Sequence, residues 1–94
     1  MIKRKSKRNS NEVRVTFVLP ADDPHAQAAV VGKFNAWDQT AHPLKKRSNG
    51  TYSAAVTLEK GQKYAFRYYD AANDFWFNDP EADAYEGDNG IVIA

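Results

Sequence analysis

The sequence alternates apolar and polar side chains from residue 13 onward, with the two-residue period of a β-strand that has one buried face. Apolar residues stand at positions 13, 15, 17 and 19. Similar short runs recur at residues 28–33, 44–47, 52–58, 63–69, 75–77 and 90–93, separated by Gly, Pro and Asn-Gly turn signals. No stretch of ten residues keeps a helical period. The pattern predicts an all-β, immunoglobulin-like sandwich of about seven strands.

The length of the chain limits the kind of site it can carry. With 94 residues it forms one domain, and such a domain buries only about 60–65 % of its unfolded surface. A shallow surface site is therefore expected instead of a deep cleft. Aromatic residues make up 13 % of the sequence, more than one small core is expected to hide.

Basic residues are concentrated at the start of the chain. Residues 1–11 hold five of the thirteen Lys and Arg residues and no acid, so residues 12–94 carry a net charge of −4. The sequence predicts a disordered basic tail over 1–11 and a sandwich domain over 12–94. Such a tail could contact nucleic acid, phospholipid or an acidic partner, although a solvated extension is the plainer interpretation. The acidic body argues against nucleic-acid binding.

No residue pattern indicates catalysis, a cofactor or a metal. There is no cysteine, which excludes a thiol nucleophile and a Cys-based zinc site. His25 and His42 lie in separate predicted loops and do not form a convergent ligand set. The seven acids between Asp70 and Asp88 leave a carboxylate-pair glycosidase or loose calcium binding conceivable, but solvated loop charge is the simpler interpretation. We expect a protein that is not an enzyme.

The sequence also bears on location. No apolar run is long enough to cross a membrane, and the basic start lacks the apolar stretch of a secretory signal. Together with the absence of cysteine, this predicts a soluble cytoplasmic protein that has no membrane role.

The two tryptophans are the strongest functional signal. Trp37 lies in a polar loop, and Trp76 stands between Phe75 and Phe77. If the two phenylalanines face the core, the two-residue period turns Trp76 outward. A core position for either tryptophan is the competing interpretation, since a buried Trp is common in sandwiches. Two exposed indoles on one side would make a flat apolar platform for the C–H face of a sugar ring.

Five motifs in order resemble carbohydrate-binding module family 48. Residues 31–37 read V-G-K-F-N-A-W and are similar to its G-x-F-N-x-W signature. Residues 44–52, 58–68, 76–83 and 88–92 resemble the later motifs of the same family. The family includes the N-terminal early-set domains of isoamylases and branching enzymes, and the glycogen-binding domain of the AMP-activated protein kinase beta subunit. The resemblance covers residues 13–94.

The resemblance implies a set of site residues. The family's two tryptophans and its asparagine correspond to Trp37, Trp76 and Asn89. The family's lysine position holds Ala65, and Arg67, on the same strand face, is the candidate substitute. The family's leucine near the last strand corresponds loosely to Tyr85.

The resemblance also implies structural roles. Burial is expected for Phe34, Leu44, Tyr64, Phe66 and Tyr68. Asn35 is expected to fix its loop through backbone hydrogen bonds.

The sequence thus predicts a non-catalytic module that binds α-1,4-glucan, as glycogen, starch or maltooligosaccharide, through exposed tryptophans. A glucan-metabolising enzyme is a further possible partner. The alternative is a structural or protein-interaction early-set domain that packs on such an enzyme or on a kinase subunit and binds little sugar. A nucleic-acid or membrane role of the basic tail is a second alternative, which steep salt dependence would favour.

Overall fold

The computed structural model describes residues 1–6 and 8–94, and within them the fold consists of β-strands with one short 3-10 turn at Lys33–Asn35. The all-β prediction is confirmed. In chain order the strands are β1 (Ile2–Ser6), β2 (Glu12–Pro20), β3 (Ala29–Gly32), β4 (Lys45–Lys46), β5 (Thr51–Glu59), β6 (Lys63–Asp70), β7 (Phe75–Phe77), β8 (Ala84–Glu86) and β9 (Asn89–Ile93).

The strands form two sheets of antiparallel neighbours. The first sheet has the order β1-β2-β5-β4, and the second has the order β3-β6-β9-β8, with β7 also paired to β6. β2 and β5 pair along their full nine residues, with Val15 opposite Val56. All seven predicted strands are present. The immunoglobulin-like sandwich expected from the turn spacing is therefore confirmed, and β1 and β8 are added to it.

Aromatic side chains from both sheets meet between them. Phe17 of β2 lies with its ring centroid 5.0 Å from that of Phe66 and 6.4 Å from that of Tyr68, both on β6. All three side chains are fully buried. The Tyr68 hydroxyl donates a 2.6 Å hydrogen bond to Oδ2 of Asp79, which is also fully buried. Burial and the neighbouring Asp79 charge raise the pKa of the Tyr68 phenol.

The burial expected from the motifs is right for three residues of five. Leu44, Phe66 and Tyr68 are buried. Phe34 and Tyr64 are only half-buried and pack against the margin of the core. Their ring centroids lie 6.2 Å apart, beside the first residues of β6.

The predicted disordered tail is wrong for residues 2–6. β1 pairs with β2 along its whole length, with Ile2 opposite Phe17 and packed against the core. Arg4 reaches the other sheet, where its guanidinium pairs with the carboxylate of Asp83 and donates a 2.9 Å bond to the Ile93 carbonyl. The high charge of this segment obscures its two-residue period, in which residues 2, 4 and 6 point inward. The proposed division at residue 12 stays a prediction.

Within residues 1–6 and 8–94, no helix has the length and apolar composition needed to span a membrane.

Candidate functional site

The outer face of the second sheet carries the candidate site. Along β6, Phe66 and Tyr68 point into the core and are fully buried, whereas Arg67 and Tyr69 on the other face are half-buried. β7 lies beside the second half of β6 and places Trp76 directly opposite Tyr69. Because opposite residues of an antiparallel pair share a face, Trp76 lies on the outer face with Arg67 and Tyr69.

These three side chains form a cluster around the indole. The ring centroids of Tyr69 and Trp76 are 4.5 Å apart, with a tilt of 36° between the planes. The Arg67 guanidinium carbon lies 5.8 Å from the centre of the Trp76 ring, within cation–π range. The Tyr69 hydroxyl donates a 2.8 Å bond to Asp74, which raises the pKa of the phenol. Trp76 is therefore half-buried, and the side chains of Arg67 and Tyr69 that pack around it come from the same sheet.

The two phenylalanines beside Trp76 have different surroundings. Phe77 is half-buried and packs against the core, as the period predicted. Phe75 is 45 % exposed, so the condition under which the period turns Trp76 outward, that both rings face the core, is met by Phe77 alone. Phe75 lies opposite Asp70 at the end of the strand pair, beyond the core, and stacks on the His25 ring at 4.4 Å.

Trp37 is presented on a tight turn. After the 3-10 turn, Ala36 and Trp37 both adopt left-handed backbone conformations, with φ of 55° and 60°. The Trp37 N–H donates a 2.9 Å bond to the Gly32 carbonyl, which ties the turn to the end of β3. The indole is 40 % exposed.

Asn35 and Gly32, which precede Trp37 in the sequence, hold this turn in place. Asn35 accepts a 3.0 Å bond from the Gly32 N–H and donates a 3.1 Å bond to the Val30 carbonyl, so its expected structural role is confirmed. Gly32 lies against β6, where a Cβ atom would sit 2.5 Å from the Ala65 carbonyl oxygen and 2.9 Å from Cβ of Phe66. The G-x-F-N motif is therefore explained by close backbone approach and by an asparagine clamp.

Asn89 and Tyr85 lie on the neighbouring strands β9 and β8, at one edge of the same sheet. Tyr85 of β8 is 51 % exposed, and its hydroxyl donates a 2.5 Å bond to the Asp79 carbonyl. Asn89 begins β9 opposite Glu86 and is half-buried. The two residues flank the short turn that contains Gly87, with φ of 58°. Asn89 lies on the outer face with Ala65 and Ile91, whereas Tyr85, opposite Gly90 and in line with Phe66, lies on the inner face, away from Trp76.

Arg67 is connected to this turn through Asn78. Nε of Arg67 donates a 3.3 Å bond to Oδ1 of Asn78, and Nδ2 of Asn78 donates a 3.0 Å bond to the Asp88 carbonyl next to Asn89. The structure thus links Arg67 directly to Trp76 and, through Asn78, to the turn that carries Asn89.

Trp37 lies apart from this linked group. Its backbone anchor is Gly32, which is opposite Phe66, whereas Trp76 is opposite Tyr69. Phe66 and Tyr69 are three residues apart, which is a distance of about 10 Å along β6. The backbone anchors of the two tryptophans are therefore offset along the sheet.

Two residues of the candidate site, Tyr69 and Asn78, were missed by sequence reasoning. Tyr69 shares a strand face with Arg67, and that signal was present in the period of β6. Asn78 gave no signal, because its contacts depend on the pairing of β6 with both β7 and β9.

Hydrogen bonding shifts the pKa values of two carboxylates outside the cluster. The carboxylates with shifted pKa values are Asp38 and Asp70, and both pKa values are lowered. Hydrogen bonds from Thr40 lower the pKa of Asp38, and hydrogen bonds from His25 and Asn73 lower that of Asp70. Among the residues that the structure describes, no three His, Asp or Glu side chains are grouped as metal ligands.

Comparison with known families decides the class of this fold. The sequence model of carbohydrate-binding module 48, the isoamylase N-terminal domain, matches residues 8–85. The chain belongs to this family. The resemblance drawn from the five motifs is confirmed, and the chain is a module of a carbohydrate-binding family that is defined by binding and not by catalysis.

Relatives of known function share part of the module. A 1,4-alpha-glucan branching enzyme of Xanthomonas campestris is 42 % identical over 45 residues, which is 46 % of this chain and 6 % of the enzyme. Those of Nitrobacter hamburgensis and Photobacterium profundum are 41 % and 36 % identical, over 57 % and 54 % of the chain and 8 % and 7 % of the enzymes. The match therefore spans less than a tenth of each enzyme's length.

Proposed function

We propose that this module binds α-1,4-glucan chains on the outer face of its second sheet, without catalysing a reaction. The observation that carries the proposal is the Tyr69–Trp76–Arg67 cluster, which joins a flat apolar ring to a cationic donor on an open sheet face. Family membership and the branching enzymes among the relatives support a glucan as the sugar.

Trp37, Trp76, Arg67 and Asn89 have distinct roles in this proposal. Trp37 and Trp76 stack on the C–H faces of sugar rings, while Arg67 and Asn89 hydrogen-bond to hydroxyl groups. Tyr85 has no role in this proposal, because it lies opposite Gly90, in line with core-facing Phe66, and so on the inner face of the sheet. Arg67 does the work of the family's lysine from two residues further along β6, since Ala65 has no donor.

The expected affinity is weak. A sugar ring that covers about 80 Å² of an indole gains about 2 kcal/mol at ~25 cal/mol per Å². Two such contacts give roughly 4 kcal/mol, which corresponds to a dissociation constant near a millimolar. Binding to a polymer with many equivalent sites raises the effective affinity further.

The test is a titration with β-cyclodextrin and maltoheptaose, followed by amide NMR shifts and tryptophan fluorescence. Saturable shifts should appear around Trp37, Trp76 and Asn89. Replacement of either Trp37 or Trp76 by Ala should weaken binding about 30-fold, the loss of one 2 kcal/mol contact. A folded wild-type protein that shows no shifts at several millimolar ligand would refute the proposal.

Phe75→Ala supplies a matched control. Phe75 is an exposed aromatic residue on the same strand as Trp76, but it points to the opposite face and stacks on His25. Its removal should leave glucan affinity unchanged. Equal losses in Phe75→Ala and Trp76→Ala would mean that β7 is perturbed as a whole and that the indole has no specific role.

A protein-interaction module with little sugar binding is the second candidate. The half-buried state of Trp76 and the absence of a lysine at position 65 favour it. In that case the titration fails while the fold stays intact, and the outer face of the second sheet becomes the surface on which to seek a partner.

A further inference from the structure

The outer face of the first sheet is basic. Register places Lys3 and Lys5 of β1 on this face, opposite Thr16 and Arg14 of β2. Lys45 of β4 lies on the same face, opposite Ser53 of β5. The strands therefore carry cations at both edges and in the middle of a surface three strand spacings wide, or about 14 Å.

Arg47 completes this surface, which we call the basic face (Lys3, Lys5, Arg14, Lys45 and Arg47). Nε of Arg47 donates a 2.8 Å bond to the hydroxyl of Ser53, and a terminal guanidinium nitrogen lies 3.3 Å from the Ser53 carbonyl. The guanidinium thus lies across the sheet beside Lys45. All five cations are exposed.

The cations of the basic face are not neutralised within the described part of the chain. The ion pairs there involve Met1, Arg4 and His25, and none includes a residue of the basic face. A shallow hollow of about 380 Å³ on this face is lined by Lys3, Arg4, Lys5, Arg14 and Thr16. The acids on this face are Glu12 and Glu59, which oppose each other at one end.

The chemistry of the basic face favours carboxylates on a protein over other anions. The face carries no exposed aromatic ring on which nucleic-acid bases could stack. The floor between the cations is made of short side chains such as Thr16, Ala55 and Thr57, with no large apolar group to enter a membrane.

We propose that the basic face docks on an acidic surface of a partner protein. Charge is segregated on this module, which suits an acidic partner on this side: five of the seven acids of residues 70–88 are exposed in the segment that follows β6, whereas the outer face of the first sheet carries the five exposed cations. The docking face and the candidate glucan face lie on opposite sheets. Both are then occupied at once, and the module joins a glucan to a protein without competition between the two.

The experiment titrates a synthetic Glu-rich peptide into the full chain by calorimetry and amide NMR, at low and at physiological salt. Two charge-reversed variants, Lys5→Glu with Arg14→Glu and Lys3→Glu with Lys45→Glu, test the face. Lys60→Glu with Lys63→Glu is the control, because it changes the net charge equally on residues outside the face. Each face variant should bind the peptide about tenfold more weakly, because two screened charge contacts are lost. The control should bind it less than about fivefold more weakly.

Three results would overturn the proposal. The first is an equal loss of peptide affinity in the control and in a face variant that keeps the wild-type thermal midpoint. Net charge alone would then explain binding. The second is absence of peptide binding at low salt. The third is tighter binding of single-stranded DNA or of phosphatidylserine vesicles than of the peptide.

A final titration separates this proposal from glucan binding. β-Cyclodextrin is titrated with the peptide at saturation, and its affinity should be unchanged because the faces are opposite. A tenfold loss would overturn the independence of the two faces. If the sugar fails to bind with or without peptide, the proposed glucan function fails while the docking result stands.

Discussion

Replacement of Tyr68 by Phe tests whether the buried Tyr68–Asp79 pair stabilises the sandwich. The substitution removes one oxygen from a fully buried ring and leaves the packing of β6 against Phe17 intact. The Asp79 carboxylate then loses a 2.6 Å donor at Oδ2. Its other supports remain, namely the Glu81 N–H at 2.8 Å and the Met1 ammonium at 3.6 Å.

The magnitude follows from burial and charge. A hydrogen bond to a charged group contributes about 1.5–3 kcal/mol, and an acceptor left unsatisfied in a buried site costs about as much. We therefore expect Tyr68→Phe to lower the free energy of unfolding by about 2 kcal/mol. For a domain of this size that corresponds to a fall of about 8–16 °C in the melting temperature.

Urea unfolding followed by circular dichroism measures this loss, with the m-value checked for a common denatured state. Tyr69→Phe is the matched control, because its hydroxyl bonds to Asp74 at the surface. It should change stability by less than about 0.5 kcal/mol. Equal stability of the two variants would refute the reasoning, since the buried bond would then contribute no more than the exposed one.

Three further predictions concern other parts of the fold. Gly32→Ala should lower the free energy of unfolding by about 1–3 kcal/mol in urea titrations, because its Cβ would meet the Ala65 carbonyl at 2.5 Å; a wild-type value would contradict the close-approach argument. Ala65→Lys should strengthen β-cyclodextrin binding about fivefold in calorimetry, by adding one donor to the outer face; unchanged affinity would mean that Arg67 already fills that role. Asp70→Asn should destabilise the protein at pH 7. Hydrogen bonds from His25 and Asn73 lower the pKa of the native carboxyl below its usual 3.8. The difference in free energy of unfolding between variant and wild type should therefore shrink as the pH falls below that value. A difference that persists in acid would contradict this role of the two hydrogen bonds.

The strands that bury side chains in an alternating pattern were predictable, whereas the two strands that were missed, β1 and β8, have no fully buried residue. β2 and β5 bury alternate side chains, so their period is visible in the sequence. β8 has three exposed residues within an acidic run, and only its pairing with β9 makes it a strand. β1 has one apolar residue, Ile2, and its inward Arg4 is stabilised by Asp83, which lies just before β8 and far away in sequence.

The site was predictable where a motif fixes the backbone, and less so where side chains meet across strands. The turn that presents Trp37 follows from Gly32 and Asn35, which lie within the five residues that precede it. The surroundings of Trp76 depend on the register of β6 and β7, which local sequence does not fix. For the same reason, the exposed position of Phe75 beyond the core could not be read from its alternation with Trp76.

β1 has a practical consequence for work with shortened chains. It covers one hydrogen-bonding edge of β2, and its outward lysines discourage pairing with other chains. Deletion of residues 1–6 would leave a nine-residue strand with a free row of N–H and C=O groups beside an uncovered patch of core. A chain trimmed at its basic start should therefore associate edge to edge and precipitate, although the segment removed has the composition of a dispensable tail.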